Sequence, residues 1–265
     1  MKNRTIVYLL ITVLIIGLVA WWYVNSNAQK PAPKSVKENI TSKNNVKFHY
    51  TGLKSFYPLS PDGNKQIVQH KAYTICYNED EEQPWWAIYL LTKSMVVNQR
   101  AQRQNNFKPD PYVLTGSSVP EDYKHSGYDR GHMVPAADMA WDKDAMSESF
   151  YMSNMSPQLP ELNRGIWKTL EEHVRDLAVK DDSIVVIVGP SKYGSKEIGT
   201  KNRIGVPKYY FKIIINLTSP EHEIFCYYIP NSGFESLDLE GYQISLGGLE
   251  DSTCMKFFGG LGESF

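Results

Sequence analysis

Tyr128-Asp129-Arg130-Gly131-His132-Met133 sets an acid, a guanidinium, a glycine and an imidazole in four successive positions. Those are the groups that phosphodiester hydrolysis asks for. The reaction needs a deprotonated water, charge stabilisation on the phosphoryl group and protonation of the leaving alkoxide. His132 suits the first task, because a neutral imidazole takes a proton near pH 7. Arg130 carries a permanent forked charge that matches two phosphate oxygens. Gly131 admits an unusual backbone angle or the close approach of a phosphate. Asp129 either orients metal-bound water or holds Arg130 in place.

A second cluster follows in Ser153-Asn154-Met155-Ser156-Pro157-Gln158, Leu162-Asn163-Arg164-Gly165-Ile166-Trp167 and Leu170-Glu171. Asn163 is a neutral oxygen donor, and a site with one such protein ligand leaves the rest of the shell to water. That suits Mg²⁺, which gives up water reluctantly, with Mn²⁺ as the alternative. Glu171 would hydrogen-bond the ion's waters. Taken singly, Asn163 reads equally as a helix-start residue and Glu171 as a solvated acid. A lone histidine is also more often structural than catalytic. The pairing of the two clusters is what favours chemistry.

The elements that must position these groups are legible in outline. Ile166, Leu170, Val174 and Leu177 recur at helical spacing, which predicts one helix over residues 162–179. Eight residues turn about 80° around such a helix, so Asn163 and Glu171 would look into one groove from two turns apart. Short β-like runs at 66–77, 85–97, 150–153, 183–190, 209–217 and 223–230 predict strands, the first two joined by the acidic turn 78–82. The run 183–190 is apolar throughout and reads as a buried central strand. Residues from Leu246 to Phe258 would close the core. The cations Lys192, Lys196, Lys201, Arg203, Lys208 and Lys212 form either a phosphate track or a set of solvated loop charges.

Net charge is −1, and setting Lys2 and Arg4 aside from the 28 basic residues leaves 26 against 29 acidic ones, or −3. That counts against a protein gripping nucleic acid by bulk positive charge, so cations for a nucleic-acid substrate would have to be gathered locally. Cys76, Cys226 and Cys254 are too few and too scattered for a disulfide framework or a zinc knuckle, and are expected as small buried apolar residues. Residues 5–24 contain no charge after a positive start and end in Trp21-Trp22-Tyr23. Twenty helical residues rise about 30 Å, so this stretch is expected to be a transmembrane signal anchor over 1–24. A cleaved signal peptide is its rival. Residues 25–45 would be a flexible tether and 46–265 the catalytic domain, lying on the extracytoplasmic side of the membrane or secreted.

The motifs at 128–132, 150–158, 162–171 and 206–212 resemble those of the DNA/RNA non-specific endonucleases, the ββα-metal group of endonuclease G and Serratia nuclease type. The resemblance implies an α+β fold with a central, mostly antiparallel sheet flanked by helices. It implies cleavage of DNA and RNA with little base preference, His132 as general base, Asn163 as the Mg²⁺ ligand and Glu171 on metal-bound water. Arg130 and Asp129 would support the phosphate and the hydrated ion. Arg103 and Arg175 match family arginines that contact phosphate, and Asn154 matches a site asparagine. Two other readings remain open: a nucleic-acid-binding protein with little turnover, and a phosphodiesterase for a smaller substrate. No oligomeric state or inhibitor protein is legible.

Overall fold

Five β-branched residues at 184–188 form the axis of the main sheet. In the computed structural model, which describes residues 52–218, 222–233 and 238–258, they lie in β6 (Ser183–Ile198) and are fully buried. Ile184, Val186 and Val188 point into one apolar cluster, and Val185 and Ile187 into the other. A strand covered on both faces must be apolar at every position, and this one is. Around it β1 (Gln66–Gln69), β2 (Tyr73–Asn78), β3 (Gln83–Thr92), β7 (Ile204–Asn216) and β8 (Ile224–Pro230) complete a six-stranded sheet of order β1-β2-β3-β6-β7-β8. Every pairing in it is antiparallel.

Several expected boundaries shift, each for a local reason. The run 66–77 is two strands of a hairpin, with β1 folding back on β2 across residues 70–72. The run 85–97 stops at Thr92, whose hydroxyl accepts the Met95 N–H and caps the short helix α1 (Lys93–Val97). The run 150–153 is mostly the 3-10 turn Met152–Asn154, with a bridge from Tyr151 to Lys108. β6 does not end at Gly189-Pro190. β3 pairs with β6 only as far as Val188, so Pro190 sits where the strand has lost that neighbour, the edge position a proline tolerates. The strand then continues with β7 as a long hairpin out to Ile198. Cys76 and Cys226 are buried as expected, but Cys254 is exposed at the end of its helix with φ 58°.

The helical layer carries a larger correction. The expected single helix over 162–179 is α3 (Pro160–Arg164) followed by α4 (Ile166–Asp181), after α2 (Lys143–Glu148). The break falls at Gly165, φ −104° and ψ −117°, where an added Cβ would lie 2.4 Å from the Glu161 carbonyl oxygen. Asn163 and Glu171 therefore stand on different helices, and the count of eight residues around one axis does not apply. α4 buries Ile166, Trp167, Leu170, Val174, Leu177 and Ala178 against the sheet. On the opposite face α5 (Leu246–Thr253) and the segment Met255, Phe257 and Phe258 close the second cluster.

Among the described residues no helix is long and apolar enough to cross a membrane. The anchor expected at 1–24 and the tether at 25–45 lie outside the described residues. Leu170 is fully buried between α4 and the sheet, so Leu170→Ala is expected to cost about 2–5 kcal/mol by urea denaturation.

Candidate active site

The acid–guanidinium–imidazole run is a strand of its own, β4 (Asp129–His132), paired antiparallel with β5 (Met155–Gln158) beside the main sheet. Gly131 is needed for a reason other than φ or phosphate. An added Cβ there would lie 2.2 Å from Gln158 Oε1, because the Gln158 side chain crosses the strand at that point.

Beyond the strand the chain is pinned by Asn154. Its Oδ1 accepts the Val134 N–H at 2.9 Å, and its Nδ2 donates to Val134 O at 3.0 Å and Ser149 O at 2.8 Å. The side chain is 0% exposed and its amide is spent on backbone. Asn154 thus positions the chain that follows His132, and its amide has no group left over for substrate.

His132 is buried between Phe107 and Phe150, with ring centroids at 5.6 and 5.0 Å. Burial, then the nearby Arg103 and Arg130 charges, push its pKa down to about 3. The imidazole is therefore neutral at physiological pH, and among the described residues its Nε2 has no hydrogen-bond partner. The same two rings carry the cations: Arg130 Cζ lies 4.0 Å from the Phe107 centroid and Arg103 Cζ 5.1 Å from that of Phe150. Phe107 gave no signal in the sequence, since a phenylalanine in a polar loop reads as ordinary. Its loop is anchored by Asp110, fully buried 3.1 Å from His70 Nε2 and accepting from the Ser153 hydroxyl.

On the other side of the strand, Asp129 accepts from Arg164 Nε at 2.8 Å and Nη2 at 2.7 Å, and from Asn163 Nδ2 at 2.9 Å. Burial works to raise the Asp129 pKa, but these donors outweigh it and the carboxyl sits below its usual range. Arg130 is thus not what Asp129 holds. A carboxylate only accepts, so the amide nitrogen of Asn163 must face it, leaving Oδ1 as the amide's unused acceptor. That donor set fits a hydrated divalent ion. Among the described residues no three His, Cys, Asp or Glu side chains gather around a common point, so such an ion would be held through Asn163 and water.

Glu171 belongs to a buried charge cluster. Arg175 Nη1 lies 3.0 Å from Asp138 Oδ1, and Tyr89 donates to the other Asp138 oxygen at 2.7 Å. Lys212, read as part of a phosphate track or as a solvated loop charge, is 0% exposed; among the described residues its Nζ has no hydrogen-bond partner, and it sits 4.5 Å over the Trp167 ring. Alternation along β7 puts Lys212 on the face shared by Tyr210 and Ile214, toward α4, which was the available signal. Burial raises the Glu171 pKa to about 7, opposed first by Lys212 and reinforced by Asp138. Arg103 acts electrostatically on both Glu171 and His132, which ties this cluster to the imidazole. Arg175 is largely committed to Asp138, whereas Arg103 is exposed, donates to Asn105 and lies against the Phe150 ring.

Two measurements follow from this geometry. Asn154→Ala strands three buried backbone groups, so it should lower stability by about 2–4 kcal/mol while leaving the KM of the remaining folded protein near wild type. A folded state that holds a proton on Glu171 up to pH about 7 loses stability as pH rises from about 4.3 toward 7. Glu171→Gln removes that loss. In chelator it should be more stable than wild type at pH 8 by on the order of 3 kcal/mol, with no difference below pH about 4.

Residues 54–264 match the family described as DNA/RNA non-specific endonuclease. A nuclease from Nostoc sp. is 33% identical over 210 residues, covering 75% of this chain and 74% of that protein. Human mitochondrial endonuclease G is 28% identical, covering 74% of this chain and 70% of its own. The mouse mitochondrial nuclease EXOG is 29% identical over 76% of this chain, which spans 58% of that relative. A chain in the crystal structure of an EndoG/EndoGI inhibition complex superposes with a TM-score of 0.67 at 29% identity, over 72% of this chain and 85% of that one. The mouse, human and yeast relatives are mitochondrial nucleases, which overturns the membrane-anchored or secreted, extracytoplasmic placement expected from residues 1–24. With four-fifths of its length matched by the family and its fold similar to that of a chain in the EndoG/EndoGI complex, the chain belongs to the DNA/RNA non-specific endonuclease family, a family of hydrolases.

Proposed function

We propose that the chain is a metal-dependent endonuclease that hydrolyses phosphodiester bonds of DNA and RNA without sequence preference. The observation that carries this reading is a four-residue strand with a neutral, aromatic-walled imidazole at one end and, at the other, a carboxylate that fixes the Asn163 amide. His132 is the general base. With its pKa near 3 it is unprotonated across the neutral range, so no protonation step removes the base there. Arg103 and Arg130, both held against phenylalanine faces, are placed to meet the non-bridging phosphate oxygens. Asn163 Oδ1 is the ligand for Mg²⁺, or Mn²⁺ in its place. When bound, such an ion polarises the phosphoryl oxygen and acidifies a coordinated water. Glu171 in its ionised form accepts hydrogen bonds from water around Asn163, and Lys212 beneath it favours that form. Asp129 orients Asn163, and Asp138 orients Arg175.

The test is cleavage of closed-circular plasmid and of structured RNA by the purified protein with Mg²⁺ and with chelator. His132→Ala is expected to lower the rate by about 10²–10⁴-fold with an unchanged circular-dichroism spectrum. Asn163→Ala is expected to lose both rate and the response to added Mg²⁺. Near-full activity in either variant rules out the role given to that residue.

A further inference from the structure

The site chemistry uses none of the outer half of the β6–β7 hairpin, yet that hairpin walls a second concavity of about 460 Å³. Its lining includes Tyr128, Lys196, Lys208, Tyr209 and Asn231. Lys196 Nζ lies 4.8 Å from the Tyr128 ring centroid, and Lys192 Nζ lies 5.9 Å from that of Tyr209. Tyr209 is itself stacked on Tyr228 at 4.6 Å with the planes 5° apart. Among the described residues none of Lys192, Lys196 and Lys208 makes an ion pair, whereas Arg203 at the hairpin tip is taken up by Glu197 at 2.7 Å. The six cations read as either a phosphate track or solvated loop charges thus divide: Lys212 is buried, Arg203 is paired, Lys201 is exposed at the turn, Lys196 and Lys208 line the groove, and Lys192 stands over Tyr209 at its side.

The groove is fixed relative to the site. Tyr128 immediately precedes Asp129. Asn231 accepts the Leu159 N–H at 2.9 Å and donates to Pro157 O and Pro207 O at 2.9 and 3.0 Å. One side chain therefore ties the groove to β5, to β7 and to the residue that opens α3. At the far end Asp122 accepts the backbone N–H groups of Thr200, Lys201 and Asn202, which holds the hairpin turn down.

We propose that this groove binds a single-stranded segment of the polynucleotide substrate as it leaves the scissile phosphate. Its bases lie on Tyr128 and Tyr209, and its phosphates lie against Lys192, Lys196 and Lys208. The proposal rests on the nuclease reading given above and names the form of substrate that reading leaves open. Tyr128 and Tyr209 are half-buried, and an ammonium over the open face of each ring marks the face that a ligand can reach. Base stacking on a tyrosine is the stronger contact, so a base displaces the lysine. The displaced ammonium then stands beside the phosphates flanking that base. Bases inside a duplex present no free faces, so the arrangement selects unpaired strands. A chain with a net charge of −1 has no bulk attraction for nucleic acid, and cations gathered at one groove supply it locally.

The experiment measures two things on the full chain: anisotropy of a labelled oligothymidylate of about 15 nucleotides in chelator, and turnover of the same oligomer against bis(p-nitrophenyl) phosphate with Mg²⁺. Lys196→Glu/Lys208→Glu, two exposed sites, is expected to weaken oligomer binding by about tenfold or more. The same variant should lower the ratio of oligomer to small-diester kcat/KM by a similar factor. Lys196→Gln/Lys208→Gln should reduce the slope of log Kd against log salt by about 1.4, and Tyr209→Leu should weaken binding by about fivefold or more. Unchanged binding and an unchanged ratio in these variants, with the small diester still hydrolysed, overturn the groove and leave the nuclease reading standing. An equal loss for a duplex of the same length overturns the single-strand assignment. A wild-type protein that hydrolyses neither substrate overturns the nuclease reading itself, while oligomer binding lost only in the variants would still support the groove.

Discussion

Asp129 is the junction on which the candidate site depends. Its carboxylate receives two hydrogen bonds from Arg164 and one from Asn163, and so it joins β4 to α3 across a gap of more than thirty residues in the chain. The Arg164 side chain is 70% exposed, and a pair of that kind contributes little to stability. Its consequence is orientation. An asparagine amide rotates freely and presents either end; one facing a carboxylate that is itself held by a guanidinium presents its oxygen outward. The break at Gly165 serves the same end. It lets α3 turn its last residues toward β4 while α4 keeps its apolar face on the sheet.

The second constraint is the burial of charge behind Glu171. Glu171 and Arg175 on α4 meet Asp138 and Lys212 beneath the helix, and among the described residues Lys212 has no hydrogen bond to offset its burial. Unpaired buried charge costs stability, and a domain selected for stability alone would place an aliphatic residue at position 212. Here the cluster holds the Glu171 pKa near 7. Removal of the Lys212 charge would drive it higher still, because Lys212 is the largest influence opposing burial. The sheet carries this cost with a strand apolar on both faces and with α4 packed along its length.

The sequence exposed the chemistry better than the architecture that holds it. His132, Asp129 and Asn163 were legible because their residue types match the demands of phosphodiester hydrolysis. The helix was legible as an apolar stripe, but its interruption was not: periodicity averages over a turn and passes through one glycine without registering it. Lys212 was misplaced because a lysine is rarely buried and composition therefore reads it as solvated. Alternation with Tyr210 and Ile214 pointed the other way and had the better physical basis. Asn154 was recognisable as belonging to the site, but whether an asparagine faces substrate or backbone is decided by contacts twenty residues away, which no local pattern encodes. Phe107 and Arg164 were missed for that reason too.

The aromatic walls explain how a site with so little surplus positive charge could handle a polyanion. Arg130 and Arg103 do not project freely into solvent; each guanidinium lies against a phenylalanine face. Such stacking desolvates one side of the cation and fixes its plane, so less rotamer entropy is lost when two phosphate oxygens meet the exposed edge. The same rings exclude water from His132 and keep its imidazole neutral beside two positive charges. A site that replaced these rings with further lysines would gain attraction for the substrate. It would also place the imidazole in a more hydrated surrounding, where burial no longer held the proton off. Placing few cations against rings meets both requirements at once.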